Sequence, residues 1–205
     1  MGNKPNIDKR IKRSKDALKR ATLSLMEEKD FKTISITEIA ERADFNRGTF
    51  YAHYRSKEDL LREVVMDKMN ELIETLNSSH TETDAITLDE VYPVAVSFFN
   101  HFWENANYYR LMLDHNVLPG FQDYLCETIN NHVLKYIKTD SFNPNHQINP
   151  EILSYERAYS ILGIVVYWFK NGLKYTPNYM AEQLVEISTY PLSKVMLKTS
   201  SEIDK

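Results

Sequence analysis

The chain has 205 residues, 42% hydrophobic and 26% charged, which is enough for one large domain or two small ones around a sizeable core and is not the balance of a disordered chain. Five glycines disfavour phosphate-cradling nucleotide enzymes and turn-rich β folds, and the single cysteine, Cys126, excludes an intramolecular disulfide and a cysteine metal cluster. The net charge of −4 conceals an asymmetry: residues 1–62 hold 15 Lys/Arg against 10 Asp/Glu, and the remainder holds 10 against 19. A basic head on an acidic body is the pattern of a DNA-binding domain joined to a domain that does not bind DNA, although a solvated charged helix face would look similar.

No apolar stretch follows Met1–Asn6, so no signal peptide is expected, and Asn6 stands where a myristoylation site carries Ser or Thr. The longest apolar run, Ile161–Phe169, is too short to span a bilayer. A cytoplasmic protein with Cys126 as a buried thiol and no membrane association is expected.

Lys9–Glu28 carries Ile11, Leu18, Ala21, Leu25 and Met26 close to a helical period, with basic residues on the opposite side. Asp30-Phe31 breaks the pattern. Ser35-Ile36-Thr37-Glu38 is a capping box, opening a short helix with Ile36, Ile39, Ala40 and Ala43 on one face. Asp44-Phe45 interrupts it, and Asn46 caps a second short helix from Arg47 to about His53. Ser56 caps a longer helix through Leu60, Leu61, Val64, Val65, Met69, Leu72, Ile73 and Leu76. Asn77–Thr87 reads as a loop. Helices are predicted over Leu88–Glu104, Tyr108–Asp114 and Phe121–Ile137, the last after a Pro119-Gly120 break. Lys138–Pro150 reads as a loop, Glu151–Gly172 as a strongly apolar helix, and Thr176-Pro177 as the start of a final helix running toward Lys198 with a kink at Pro191. The fold class is all-α, with about nine helices and no convincing strand.

Two short capped helices separated by a few residues form a helix-turn-helix. Its second helix is unusual for a surface helix: Arg47, Thr49, Tyr51 and His53 all donate hydrogen bonds, none is acidic, and Gly48 permits close backbone approach to DNA. The run from Ile39-Ala40 through Gly48-Thr49-Phe50-Tyr51, His53-Tyr54 and Lys57-Glu58-Asp59-Leu60 closely resembles the DNA-binding domain of TetR/AcrR-family transcriptional regulators, over about residues 9–61. It departs from the family pattern at Asp44, where glycine is usual, and at Asn46, where Ser or Thr is frequent. Asp tolerates a left-handed backbone and Asn is an equivalent cap, so both changes leave the turn intact and the operator sequence open.

The resemblance implies a three-helix DNA-binding domain over residues 1–61, with a basic N-terminal arm, and a helical effector-binding and dimerisation domain over 62–205. It implies a DNA-binding set of Thr37, Asn46, Arg47, Gly48, Thr49, Tyr51, His53 and Lys57. Within it, Thr37, Tyr51, His53 and Lys57 would touch phosphates, and Arg47 and Thr49 would face base edges. For His53 a structural role is the rival reading. Phe50 and Tyr54 would pack the helix-turn-helix. Lys9, Arg10, Lys12 and Arg13 would form the arm, contacting phosphates or the minor groove, or else a merely solvated tail.

The Glu151–Gly172 helix is apolar on nearly all sides, so it needs cover on two sides, and a second copy of the chain is the simplest supply. The resemblance implies a four-helix dimer interface that would include Ile161, Val165, Trp168, Leu184, Ile187 and Val195. It also implies an inducer pocket for a small hydrophobic or aromatic effector, with Phe99, Phe102, Trp103, Tyr109, Tyr124 and Tyr159 as candidate lining; ordinary core packing is the alternative for each. There is no P-loop, G-x-S-x-G or H-E-x-x-H, and His101 and Glu104 make no ligand set, so no catalytic residue, metal or cofactor is expected. The expected function is a sequence-specific, ligand-responsive repressor acting as a homodimer on palindromic double-stranded operator DNA. The alternative is a regulator of the same fold, or an activator, controlled by a protein partner.

Overall fold

Helix α1 (Lys4–Glu28) is held by one buried stripe, Leu18, Ala21, Thr22, Leu25 and Met26, whose spacing matches a helical face. The buried Thr22 hydroxyl satisfies itself on the Leu18 carbonyl at 2.9 Å. The structure, a computed structural model, describes residues 4–78, 88–113, 117–135 and 148–189. These form nine α-helices and one 3-10 turn, with no strand among the described residues. The helix starts five residues before its predicted start at Lys9, so Lys9, Arg10, Lys12 and Arg13 belong to α1 and do not form a separate arm. Lys and Arg are good helix formers, and adding turns to an existing helix avoids the cost of nucleation.

A 3-10 turn (Phe31–Thr33) leads into α2 (Ile36–Arg42), whose capping box is present as predicted. The Ser35 hydroxyl accepts from the Glu38 amide at 3.2 Å, and the Glu38 carboxylate accepts from the Ser35 amide at 2.9 Å. Bonds from Lys29 and then from Ser35 hold the Glu38 carboxyl down at about 2. Asp44 ends α2 in the left-handed region at φ 59°. The Phe45 amide returns to the Ala40 carbonyl and the Asp44 amide to that of Glu41, the bond pair of a Schellman cap. Helix α3 (Arg47–Tyr51) follows Asn46, whose side chain accepts from the Thr49 amide at 2.9 Å. Helix α4 (Lys57–Ser78) follows Ser56, which accepts from the Asp59 amide at 3.1 Å.

The body consists of α5 (Leu88–Glu104), α6 (Ala106–Met112), α7 (Phe121–Leu134), α8 (Pro150–Lys170) and α9 (Pro177–Thr189). Only Asn105 separates α5 from α6, fewer residues than predicted. Its side chain takes up the local polar groups, donating to the His101 carbonyl and accepting from Lys68, both at 2.8 Å. Gly120 turns the chain into α7 at φ 83°. Pro150, read from sequence as loop, is the first residue of α8, where its missing N–H costs nothing, and Asn149 caps the two following amides. Residues 79–87, most of the Lys138–Pro150 loop, the Pro191 kink and Val195 lie outside the described residues.

Helix α9 packs on α5 and α7 on α8, while α4 reaches both α5 and α7. The domain boundary expected after residue 61 falls inside α4, and a single apolar core continues from Leu18 in the head to Ala181 in the body. Cys126 is buried in it, and burial pushes its thiol pKa up. Among the described residues no helix is long and apolar enough to cross a membrane.

Candidate nucleic-acid interface

Helix α3 is a short, exposed platform fixed by one buried ring. Phe50 is fully buried and meets Tyr51 edge-on and Tyr54 at a tilt, at centroid distances of 5.7 Å each. That anchor turns Arg47, Gly48 and Tyr51 outward, with Thr49 half-buried beside them. The Arg47 guanidinium lies 5.8 Å from the Tyr51 ring centroid, one turn along, and donates to its hydroxyl at 3.3 Å. Arg47 has no acidic partner among the described residues. A β-carbon at Gly48 would stand 3.1 Å from the Asn46 side-chain oxygen, so glycine keeps the cap undisturbed. Thr37 lies half-buried in the first turn of α2.

Two residues that the resemblance implied as phosphate contacts are engaged inside the head. The Lys57 ammonium donates to the carbonyls of Phe31, Lys32 and Ile34 at 2.8, 2.9 and 2.7 Å. Those are its three donors, so Lys57 clamps the chain entering α2 and has none left for a phosphate. His53 Nε2 lies 2.7 Å from the Ser14 hydroxyl of α1. That hydroxyl gives its one hydrogen to the carbonyl of Ile11 or Arg10, at 2.9 and 3.1 Å, so it accepts from His53. Burial, then the neighbouring Lys15 charge, lowers the His53 pKa, which keeps the ring neutral. The rival structural reading of His53 therefore describes what this geometry provides, a strut from α3 to α1. Ser14 is the partner that sequence reasoning missed, because a serine on a helix gives no sign of a bond 39 positions away.

The head is tied together by further ion pairs. Lys15 and Lys19 of α1 reach Glu63 at 2.9 and 2.6 Å, Lys19 also reaches Asp67 at 2.5 Å, and Arg42 joins Glu28 at 2.7 Å.

The six aromatic residues expected around an effector do not converge. Phe99, Phe102 and Tyr109 are fully buried, with Phe102 and Tyr109 rings 4.2 Å apart and Phe99 against Trp168 at 5.5 Å. Trp103, Tyr124 and Tyr159 lie at the surface. A sequence places rings on helix faces but does not distinguish rings around a hollow from rings filling one another's space.

The residues expected at a dimer interface divide similarly. Val165 and Trp168 are completely buried within the chain, so their side chains are not available to a second copy. The Trp168 indole donates inward to the Tyr175 carbonyl at 3.0 Å. Ile161 and Leu184 are half-buried and Ile187 is 51% exposed. The outer face of α8 carries Ile152, Tyr155, Tyr159 and Tyr167, exposed by 69, 52, 45 and 50%. Three to four residues separate the first three, so they share a stripe, and Tyr155 and Tyr159 contact each other at 5.2 Å. The helix is apolar on nearly all sides, so periodicity did not reveal which side faces out. Among the described residues no group of His, Cys, Asp and Glu is arranged to hold a metal.

Comparison with known proteins follows the same division of the chain. Residues 14–64 match the family model described as bacterial regulatory proteins, tetR family, and residues 89–190 match a transcriptional regulator C-terminal region. An uncharacterized HTH-type transcriptional regulator of Bacillus subtilis (strain 168), YxbF, is 25% identical over 205 residues, covering 93% of this chain. The chain spans about half the length of that relative, 48%. A TetR transcriptional regulator from Streptococcus agalactiae 2603V shares the fold at a TM-score of 0.63 and 23% identity, covering 90% of this chain and 98% of that one. The dihydroxyacetone kinase operon activator DhaS shares it at a TM-score of 0.59 and 19% identity, covering 85% and 93%.

Proposed function

The chain belongs to the TetR family of DNA-binding transcription regulators, and from that premise we propose that it acts as a homodimer gripping a palindromic operator with two copies of α3. The observation that carries this reading is the outward display of Arg47 and Tyr51, with Thr49 half-buried beside them, on a helix whose only buried anchor is Phe50. Arg47 reads a base edge, guanine by preference, with Thr49 beside it. Tyr51 and Thr37 contact phosphates, Asn46 holds the helix start, and Gly48 admits the backbone close to the duplex. The exposed apolar stripe of α8, with Ile187 of α9, supports pairing with a second copy, which would set the two heads near one DNA turn apart, about 34–36 Å.

Selection of bound sequences from a random duplex pool tests this. Recovery of a palindrome with half-sites one turn apart is the expected result. Recovery of nothing above non-specific binding overturns it.

Two modes of control follow. In the first, an unidentified small hydrophobic or aromatic effector favours a head separation that releases the operator, with a coupling of about 1–3 kcal/mol. In the second, a protein partner controls the regulator, which then need not be a repressor. Packing of Phe102 on Tyr109 and of Phe99 on Trp168 favours the second, since it commits these buried rings to the core, and DhaS is named an activator. Release of the selected operator by any of a panel of aromatic and hydrophobic compounds would restore the first.

A further inference from the structure

Two faces of α1 carry basic residues, and the fold treats them differently. Lys15 and Lys19 point at α4, where Glu63 and Asp67 neutralise them. On the other face, Arg10, Arg13 and Arg20 are exposed and have no carboxylate partner among the described residues. These three line a groove of about 1000 Å³ between α1 and the helix-turn-helix, whose opposite wall includes Asn46, Gly48 and Thr49. Its one acidic lining residue is Asp44. The spacing of the arginines, three and then seven residues, keeps them on one side of the helix, and the row is about 15 Å long at 1.5 Å per residue. Ala17, the small residue between Arg13 and Arg20, leaves the groove floor open to the flanking guanidiniums. The Ser14–His53 bond fixes this face of α1 against the end of α3.

We propose that Arg10, Arg13 and Arg20 form a rigid phosphate-binding rail, which receives the sugar-phosphate backbone bordering the major groove that α3 enters. The proposal rests on the DNA-binding reading; of the basic residues first expected to reach DNA from the N-terminal segment it keeps Arg10 and Arg13, drops Lys12, which lies outside the groove, and adds Arg20. A guanidinium offers forked donors matched to phosphate oxygens, and an unpaired one gives up no existing ion pair when it binds. The rail contributes affinity in every sequence context and carries no base preference. Being helical, it presents its charges in fixed register, which a loose arm would not do.

The test uses the full chain, a random-sequence duplex and the duplex recovered by selection, with affinities measured between 50 and 200 mM salt. Arg13→Gln and Arg20→Gln should each lower the magnitude of the log affinity against log salt slope by about 0.9 for every phosphate released. Both duplexes should lose affinity by the same factor. Lys12→Gln removes the same charge from α1 outside this groove and should leave the slope unchanged. Helix content of each variant is checked by circular dichroism, and Arg and Gln have similar helix propensity. If the arginine variants keep the wild-type slope, or if Lys12→Gln reduces it equally, the rail is wrong, because only a diffuse field would remain. Failure of the wild-type chain to bind either duplex would instead overturn the DNA-binding reading itself.

Discussion

The head and the body of this molecule share one apolar core and differ in what is added to it. In the head, geometry is set by directional bonds: the Lys57 clamp on three carbonyls, the Ser35–Glu38 box, the Asn46 cap, the His53–Ser14 strut and the pairs from Lys15, Lys19 and Arg42. In the body the large contributions are rings in contact, with Phe98, Phe99, Phe102, Tyr109, Phe121 and Trp168 all buried. A recognition helix must be positioned to within a bond length, and hydrogen bonds lose strength steeply with misalignment, so they suit that task. Apolar burial scales with area and is indifferent to direction, so it supplies stability but not fine placement.

Truncating the body at its centre should give the largest effect. Trp168→Ala is expected to cost about 3–5 kcal/mol in urea unfolding. Since the core is continuous through α4, head and body should unfold together, and two separate transitions would show that the contrast extends to independent units. Next comes the clamp. Lys57→Met should cost about 1.5–3 kcal/mol, because charged hydrogen bonds to three carbonyls are lost. Lys57→Arg should fail to restore it, since a planar fork cannot direct its donors at the same three acceptors. Full rescue by Arg would mean that charge alone matters there. Asn46→Ala should cost about 1 kcal/mol and weaken duplex binding, while Asn46→Ser keeps both, as either side chain can cap.

The smallest effect at neutral pH is one that emerges on acidification. Burial lowers the pKa of His101 from 6.5 to about 4 and also lowers that of His53. The folded state therefore binds fewer protons than the unfolded one below pH 6.5. Stability from keeping His101 neutral is complete above that value and is lost as the pH falls toward 4. His101→Gln should flatten the dependence of unfolding free energy on pH over this window more than His53→Gln does. An unchanged slope in both would remove these rings as the source.

Much of the head could be read from the chain because its signals are local. A capping box spans four residues, the Asn46 cap acts on an amide three positions later, and the left-handed turn needed only a tolerant residue, Asp44. The helices of the body followed from periodicity, with α5 found at its predicted bounds. The roles of Lys57 and His53 were not legible in the same way. Their partners lie 23–26 and 39 positions away, and a resemblance assigned them outward when the fold turns them inward. Likewise the assignment of Val165 and Trp168 to an outer face depended on knowing which side of an apolar helix meets α7, and sequence does not specify it.

The sequence by itself determined the helix order, the helix-turn-helix and its caps, because propensity, capping and period act within a few residues of chain. Tertiary structure decided which cations are neutralised and which remain free, and which rings fill the core and which reach the surface. Those outcomes depend on the neighbours that distant segments bring, and a charge or a ring has no fixed role until those neighbours are in place.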